Sequence, residues 1–348
     1  MSSINPRLPQ SGSAEPGPAI HLVRYEELIP CKTAFIDTRT PGSAQKENFT
    51  IIGPGVSENP EQHVHIKAAH GFNIGGARQP PNCTNSQHSH ETAEVFIVHS
   101  GRWAFYLGEN QEDGRIELGP GDTISIPVHV FRGFENIGED TGFLFAVLGG
   151  DDPGNVLWAP YVFEQAKQFG LVLMDDGSLH DSDAGEGYPA GKKPQRPTTA
   201  EDVAKLRRMT SDELAECVVR YQAAPRVMND VTGLTEAPLI GGISMDSDIP
   251  AGKMSWPHGF HLRYMQAPEN LTGGWHSLAQ AEVLLMHRGE LTVRTVDEEI
   301  TLKSGDTLSL PVDSARAYTT GKQTGAEWFV VHGTDHPAAA TPAASSVE

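Results

Sequence analysis

The chain has 348 residues, with 26 basic against 45 acidic side chains and a formal net charge of −19. That balance argues against nucleic acid and anionic membrane as partners, because both select a basic surface. Three cysteines (Cys31, Cys83, Cys217) without CxxC spacing argue against a disulfide framework and for a reducing, cytoplasmic setting. No early apolar segment follows a basic one, against a signal peptide, and no apolar run nears the ~20 residues that span a bilayer.

Residues 1–20 are rich in Ser, Pro and Gly and are expected to form a mobile tail. An ordered arm follows at 21–31, suited to packing on a neighbouring domain or subunit. From about 48 to 153, short alternating apolar runs are broken by Gly, Pro and Asn. Such runs predict a β-sandwich or barrel, and the lack of βαβ alternation argues against a parallel sheet. A short helix is predicted over 160–170, stopped by Gly170. Residues 175–197 read as a polar loop. Two capping boxes, Thr198-x-x-Glu201 and Thr210-x-x-Glu213, then open helical patterns. The β pattern returns at 223 and runs to 336, and an Ala/Pro/Ser-rich tail, 337–348, is expected to be disordered.

Within the first β region, His88-Ser89-His90 precedes Glu94 by four residues. Histidines two apart share one face of a strand. Glu94 keeps that face if the strand resumes directly or after a short irregularity. Two imidazoles and one carboxylate form the ligand set of a facial-triad iron site, or of a related Mn, Ni, Cu or Zn site. The competing reading is a polar edge strand that carries two histidines.

The two β regions repeat each other. His70-Gly71-Phe72 matches His258-Gly259-Phe260 at an offset of 188. At the same offset His88 meets His276, Glu94 meets Glu282, His99 meets His287 and Gly101 meets Gly289. After a turn four residues shorter, Gly121-Asp122-Thr123 meets Gly305-Asp306-Thr307, Pro127 meets Pro311 and Arg132 meets Arg316.

His88-x-His90-x-x-x-Glu94 with Gly101, then Gly121 with Pro127 and Asn136, resembles the two motifs of the cupin superfamily. The resemblance covers both β regions and implies an all-β bicupin, two tandem jelly-roll barrels joined by a helical linker. The implied units are 21–155 (first barrel with its arm), 156–222 (linker) and 223–336 (second barrel). The family's fourth ligand is a histidine in the second motif, and Arg132 stands in its place. An always-charged guanidinium cannot ligate a metal. The resemblance therefore implies a three-ligand site, His88, His90 and Glu94. In the second barrel Leu278 and Arg316 replace two ligands, which implies that this barrel holds no metal.

Resemblance to quercetin-dioxygenase-like and gentisate-dioxygenase-like bicupins implies a metal-dependent oxygenase, specifically a dioxygenase of a small aromatic, diol or diketone-like compound. Fe(II) is the implied cofactor, with Mn, Ni, Cu or Zn as alternatives. Arg132 is the candidate catalytic residue, pairing with a substrate carboxylate or an anionic intermediate; its alternative role is to neutralise Glu94. A non-oxidative isomerase, lyase or decarboxylase, and a small-molecule binder without chemistry, are the competing functions. His129 is a candidate replacement ligand, although its odd offset from Arg132 faces it away. His70, His99, the His63/His65 pair and Cys83 are weaker candidates. Trp103, Phe105, Phe131 and Phe134 are candidates to line the barrel. The expected partner is a small-molecule substrate, and the arm and the jelly-roll edges suit a homodimer.

Overall fold

Short strands that each bury one face are stable only when closed against one another, and this chain closes them into two jelly-roll barrels. The structure, a computed structural model, describes residues 19–185, 187–242 and 251–344. Most of the expected N-terminal tail and the last four residues lie outside the described residues.

The first barrel pairs a five-stranded with a seven-stranded sheet. The five-stranded sheet runs Val156–Trp158, Thr84–His90, Arg132–Asn136, Trp103–Leu107, Gly114–Leu118. The other sheet centres on Glu94–Ser100, Gly142–Gly149 and Phe72–Gln79. Phe96 of the second sheet packs on Phe105 and Phe134 of the first, with ring centroids 5.2 and 5.1 Å apart. Trp103 and Phe105 are thus core, and Phe131 packs outward against the connector. The second barrel, with the arm strand His21–Val23, forms one 11-stranded sheet, because Glu282–Thr295 runs for 14 residues and pairs with Ala326–His332 along its first part and with Arg316–Thr319 along its last.

The arms explain how the barrels are joined. His21–Val23 does not pair within its own half; it pairs with Thr307–Leu310 of the second barrel. Reciprocally, Val218–Val219, just before the second barrel, pairs with Thr123–Ile126 of the first. Arg24 then donates to Asp306 at 2.6 Å, and the Tyr25 amide donates to the same carboxylate at 3.0 Å. Arg220 and the Tyr221 amide do the same to Asp122, at 2.8 and 3.0 Å. Gly121 and Gly305 are fixed by this clasp: each has φ +89, and a Cβ there would come within 2.7 or 2.6 Å of the Tyr221 or Tyr25 ring. A shared apolar core, with Phe72, Val95, Phe143 and Phe145 from one half and Phe260, Leu262, Leu285 and Phe329 from the other, lies between the barrels. Each such side chain contributes about 1.5–3 kcal/mol on burial.

Several histidines belong to this interface. His70 Nε2 meets Ser309 Oγ at 2.7 Å, and its counterpart His258 meets Ser125 Oγ at 2.7 Å. His99 and His287 meet each other, centroids 5.6 Å apart, among Tyr25, Phe143, Phe145, Tyr221 and Phe329, with Ser304 Oγ 3.4 Å from His99. Burial, then the nearby Arg288 charge, lowers His99 to about 4; burial, His99 and Arg288 lower His287 to about 3. The unfolded chain takes up protons at both sites below about pH 6.5, whereas the folded chain does not. Stability contributed by the neutral pair is therefore whole above pH 7 and lost as pH falls from 6.5 toward 4, by at most about 1.4 kcal/mol per pH unit and histidine. Urea midpoints are expected to fall more steeply with acid for the wild type than for a His99→Phe/His287→Phe variant. Parallel curves would contradict this.

The connector differs from a helical linker. It holds helices Pro160–Gln168, Ala200–Val203 and Ser211–Glu216, of 9, 4 and 6 residues, interleaved with strands Val156–Trp158, Leu171–Leu173, Leu179–Asp181 and Val218–Val219. The first capping box is Thr199 with Asp202, one residue later than expected, because the Thr198 hydroxyl donates to Trp158 O at 2.7 Å. The second is Thr210 with Glu213. Within the expected C-terminal tail, Thr341–Pro342 pairs with His276–Ser277. Among the described residues no helix is long and apolar enough to cross a membrane.

Candidate metal centre

Strand Thr84–His90 presents the two histidines, and a bulge decides what accompanies them. Arg132 pairs with His88 and Phe134 with Asn85, so Gly133 alone opposes Ser86 and Gln87. The extra residue brings Asn85 to the cavity beside His88 and His90. Gln87 anchors the bulge by donating to Tyr106 O and Gly108 O at 3.1 and 2.6 Å. Gly133 is required opposite, since a Cβ there would overlap the Gln87 amide.

Glu94 arrives by a different route from the one its spacing suggests. The turn at 91–93 carries the chain to the facing sheet, and Glu94 returns to the lumen from there. Its Oε2 lies 3.5 Å from His90 Nε2. One ligand atom from each of His88, His90 and Glu94 falls within 4.8 Å of the others, the only such three-residue cluster among the described residues. All three side chains are buried.

The protonation states suit a cation. Burial, then the Arg132 charge, holds both histidines well below their usual range, so both are neutral. His88 Nδ1 lies 2.7 Å from Ser86 O and must carry the proton, which leaves Nε2 with its lone pair. Burial pushes the Glu94 carboxyl up, and Arg132 opposes this by donating Nη2 to Oε2 at 2.6 Å. Oε1 of Glu94 takes no hydrogen bond, so the carboxylate has an oxygen to spare. Arg132 itself is 1% exposed; Nη1 reaches His88 O at 3.4 Å and Nε has no partner. These features fit a divalent ion: two neutral imidazoles and a carboxylate with one oxygen uncommitted.

The cluster forms part of the wall of a cavity with about 680 Å³ of atom-free space, open solvent included. Its other walls are largely apolar, including Phe49, Phe96, Phe134, Leu148 and Trp158, with Asn85, Thr50 and Gln62 as polar points. Trp158 packs on His88 (centroids 5.2 Å) and donates to Glu58 Oε1 at 2.6 Å. Glu58 also accepts from Ile36 N at 2.6 Å, and burial raises its carboxyl to about 8. Buried Lys46 holds Asn85 at 2.7 Å and pairs with Asp37. The Glu58 and Lys46 supports escaped the sequence reading, because their partners lie 100 and 39 residues away.

The other candidates lie elsewhere. His129 is exposed in a left-handed turn (φ 60), and only its amide approaches the site, donating to His90 O at 3.1 Å. His63 and His65 meet edge to face, and His65 Nε2 accepts from Ile29 N at 3.2 Å. Cys83 is buried and lies outside the ligand cluster.

The second barrel uses the equivalent space differently. Glu282 accepts from Arg316 Nε at 2.9 Å and from Tyr318 OH at 2.7 Å. Burial pushes this carboxyl up, but the charges of Arg316, His332 and His276 outweigh it and bring it to about 2. In the matched registers, Asn48, Gly75 and Leu148 of the first cavity become Glu236, Arg263 and His332. Arg263 pairs with Glu236 at 2.8 Å, both buried. An ion pair and a histidine thus occupy positions that line open space in the first barrel.

Comparison with known proteins agrees with this anatomy. Residues 77–148 match the cupin domain family. No match to a curated protein sequence was found. Among solved structures, Lactobacillus farciminis oxalate decarboxylase is similar over 94% of this chain and 90% of its own, with TM-score 0.56 at 9% identity. Bacillus subtilis oxalate decarboxylase is similar over 94% and 80%, with TM-score 0.56 at 11% identity. Hazelnut (Corylus avellana) vicilin is similar over 92% and 88%, with TM-score 0.51 at 12% identity. At such identities the likeness is one of fold, and the oxalate decarboxylases and the vicilin share it. Repeat, barrel topology and domain match agree: residues 77–148 match the cupin domain family, and the chain shares its fold with these solved structures.

Proposed function

We propose that the chain is a metal-dependent oxygenase. Its first barrel would hold a divalent ion, Fe(II) foremost, on His88, His90 and Glu94, and would act on a small, largely apolar compound bearing a diol, enediol or β-diketone group. The observation that carries this reading is the joining of an uncommitted His-His-Glu cluster to an apolar cavity. Such an ion supplies Lewis acidity and, as Fe(II), a redox partner for dioxygen. The chain's own residues do the rest. Ser86 O fixes the His88 tautomer. Arg132 orients Glu94 and opposes the upward push of burial on its carboxyl. Phe49, Phe96, Phe134 and Trp158 exclude water and contact an apolar substrate body, and Asn85 offers a polar point beside the ligands.

The second reading is non-oxidative lyase chemistry of the kind named for the oxalate decarboxylases of the same fold. The apolar walls favour a substrate with an apolar body over a wholly polar dianion. Fe(II)-loaded protein is expected to consume dioxygen with a panel of catechols and β-diketones. Turnover of the same panel without dioxygen would favour the second reading, and absence of turnover in both conditions would contradict both.

A further inference from the structure

We propose that Arg132 makes the metal site conditional: a divalent cation is held tightly only together with an anionic chelating group. The inference rests on the metal reading above and assigns the charge of the substrate's chelating end. It follows from fixed charges. Glu94 and Arg132 already pair at 2.6 Å, and an imidazole that ligates a metal does so in its neutral form. A divalent ion therefore raises the local charge to +2 in a pocket where Arg132 is 1% exposed and the three ligands are 2–5% exposed. The surroundings do not relieve this. Lys46 and Asp37 pair with each other, fully buried, and both Glu58 oxygens are taken by Trp158 Nε1 and Ile36 N. Uncompensated buried charge is costly, so the site has two remedies: weak metal binding, or an incoming anion. A chelating monoanion lowers the excess to +1 and a dianion removes it. A neutral fourth ligand in place of Arg132 would leave only +1 with the metal alone, so the conditionality belongs to this side chain.

The test measures Mn²⁺ binding by equilibrium dialysis at matched free Mn²⁺, with and without pentane-2,4-dionate, a bidentate monoanion with an apolar body. In the wild type the anion is expected to tighten Mn²⁺ binding at least about tenfold, and Mn²⁺ to tighten the anion by the same factor. Arg132→Lys, which keeps the charge, is expected to retain most of this coupling. Arg132→His is expected to bind Mn²⁺ tightly alone, with less than about threefold coupling. Wild-type binding that is abolished by His90→Gln but unaffected by the anion would overturn the inference and leave the metal reading standing. No Mn²⁺ binding in either condition would overturn both.

Discussion

Replacing His90 with Gln is expected to lower divalent-metal affinity by more than about a hundredfold, beyond what loss of an outer-shell partner costs. The fold should survive. His90 is buried and neutral, and Gln is also neutral and of comparable size, so no uncompensated charge appears. What disappears is one of only three ligands, and a two-ligand remnant resembles His276 and Glu282 of the second barrel, where no three-ligand cluster forms among the described residues. Dioxygen consumption should fall in parallel. The matching change His276→Gln is expected to leave metal affinity unaltered. Dialysis of Mn²⁺ or Co²⁺ against both variants with pentane-2,4-dionate present measures this, and affinities within about threefold of the wild type for His90→Gln would contradict it.

Replacing Arg132 with Leu is expected to destabilise the protein by about 3–5 kcal/mol, because Glu94 is left buried without its counter-charge. The double variant Glu94→Gln/Arg132→Leu is expected to recover most of that loss, since neither charge remains. The sign of the metal effect is informative as well. Added divalent ion should stabilise Arg132→Leu more than the wild type, because the cation takes over the missing positive charge beside Glu94. Urea midpoints with and without Mn²⁺ read all three quantities. A loss below about 1 kcal/mol for Arg132→Leu would show that Glu94 has another counter-charge.

The repeat and the His-x-His spacing were legible because they depend on local pattern. The offset of 188 places His276 and Leu278 opposite His88 and His90, and that comparison alone marks the first barrel as the one with three ligands. The same alignment also contained the reason the second lumen is filled, since Glu236, Arg263 and His332 stand where Asn48, Gly75 and Leu148 do. Reading it required looking beyond the motif residues. The reciprocal clasp was written twice, as Val23-Arg24-Tyr25 and Val219-Arg220-Tyr221, but at an offset of 196 rather than 188. A triplet outside the main register carries little weight by itself.

Other features had no local signal. The bulge that turns Asn85 toward the cavity depends on how Arg132–Asn136 registers against its neighbour. The Glu58–Trp158 bond joins residues 100 apart. The connector misled because capping boxes and helical spacing mark helix starts, whereas helix length is set by tertiary packing; here strands and turns interrupt after 4 or 6 residues. Adjacent Thr198 and Thr199, with Glu201 and Asp202, offered two capping registers, and only the Trp158 carbonyl chose between them.

The central claim is that the first barrel, and not the second, holds a divalent metal. Elemental analysis of the protein loaded with Mn²⁺ in the presence of pentane-2,4-dionate and then desalted tests it most directly, with His88→Gln/His90→Gln and His276→Gln variants alongside. The account predicts about one metal per chain in the wild type and in His276→Gln, and none in the double variant. Metal retained by the double variant, or lost on changing His276 alone, would contradict it.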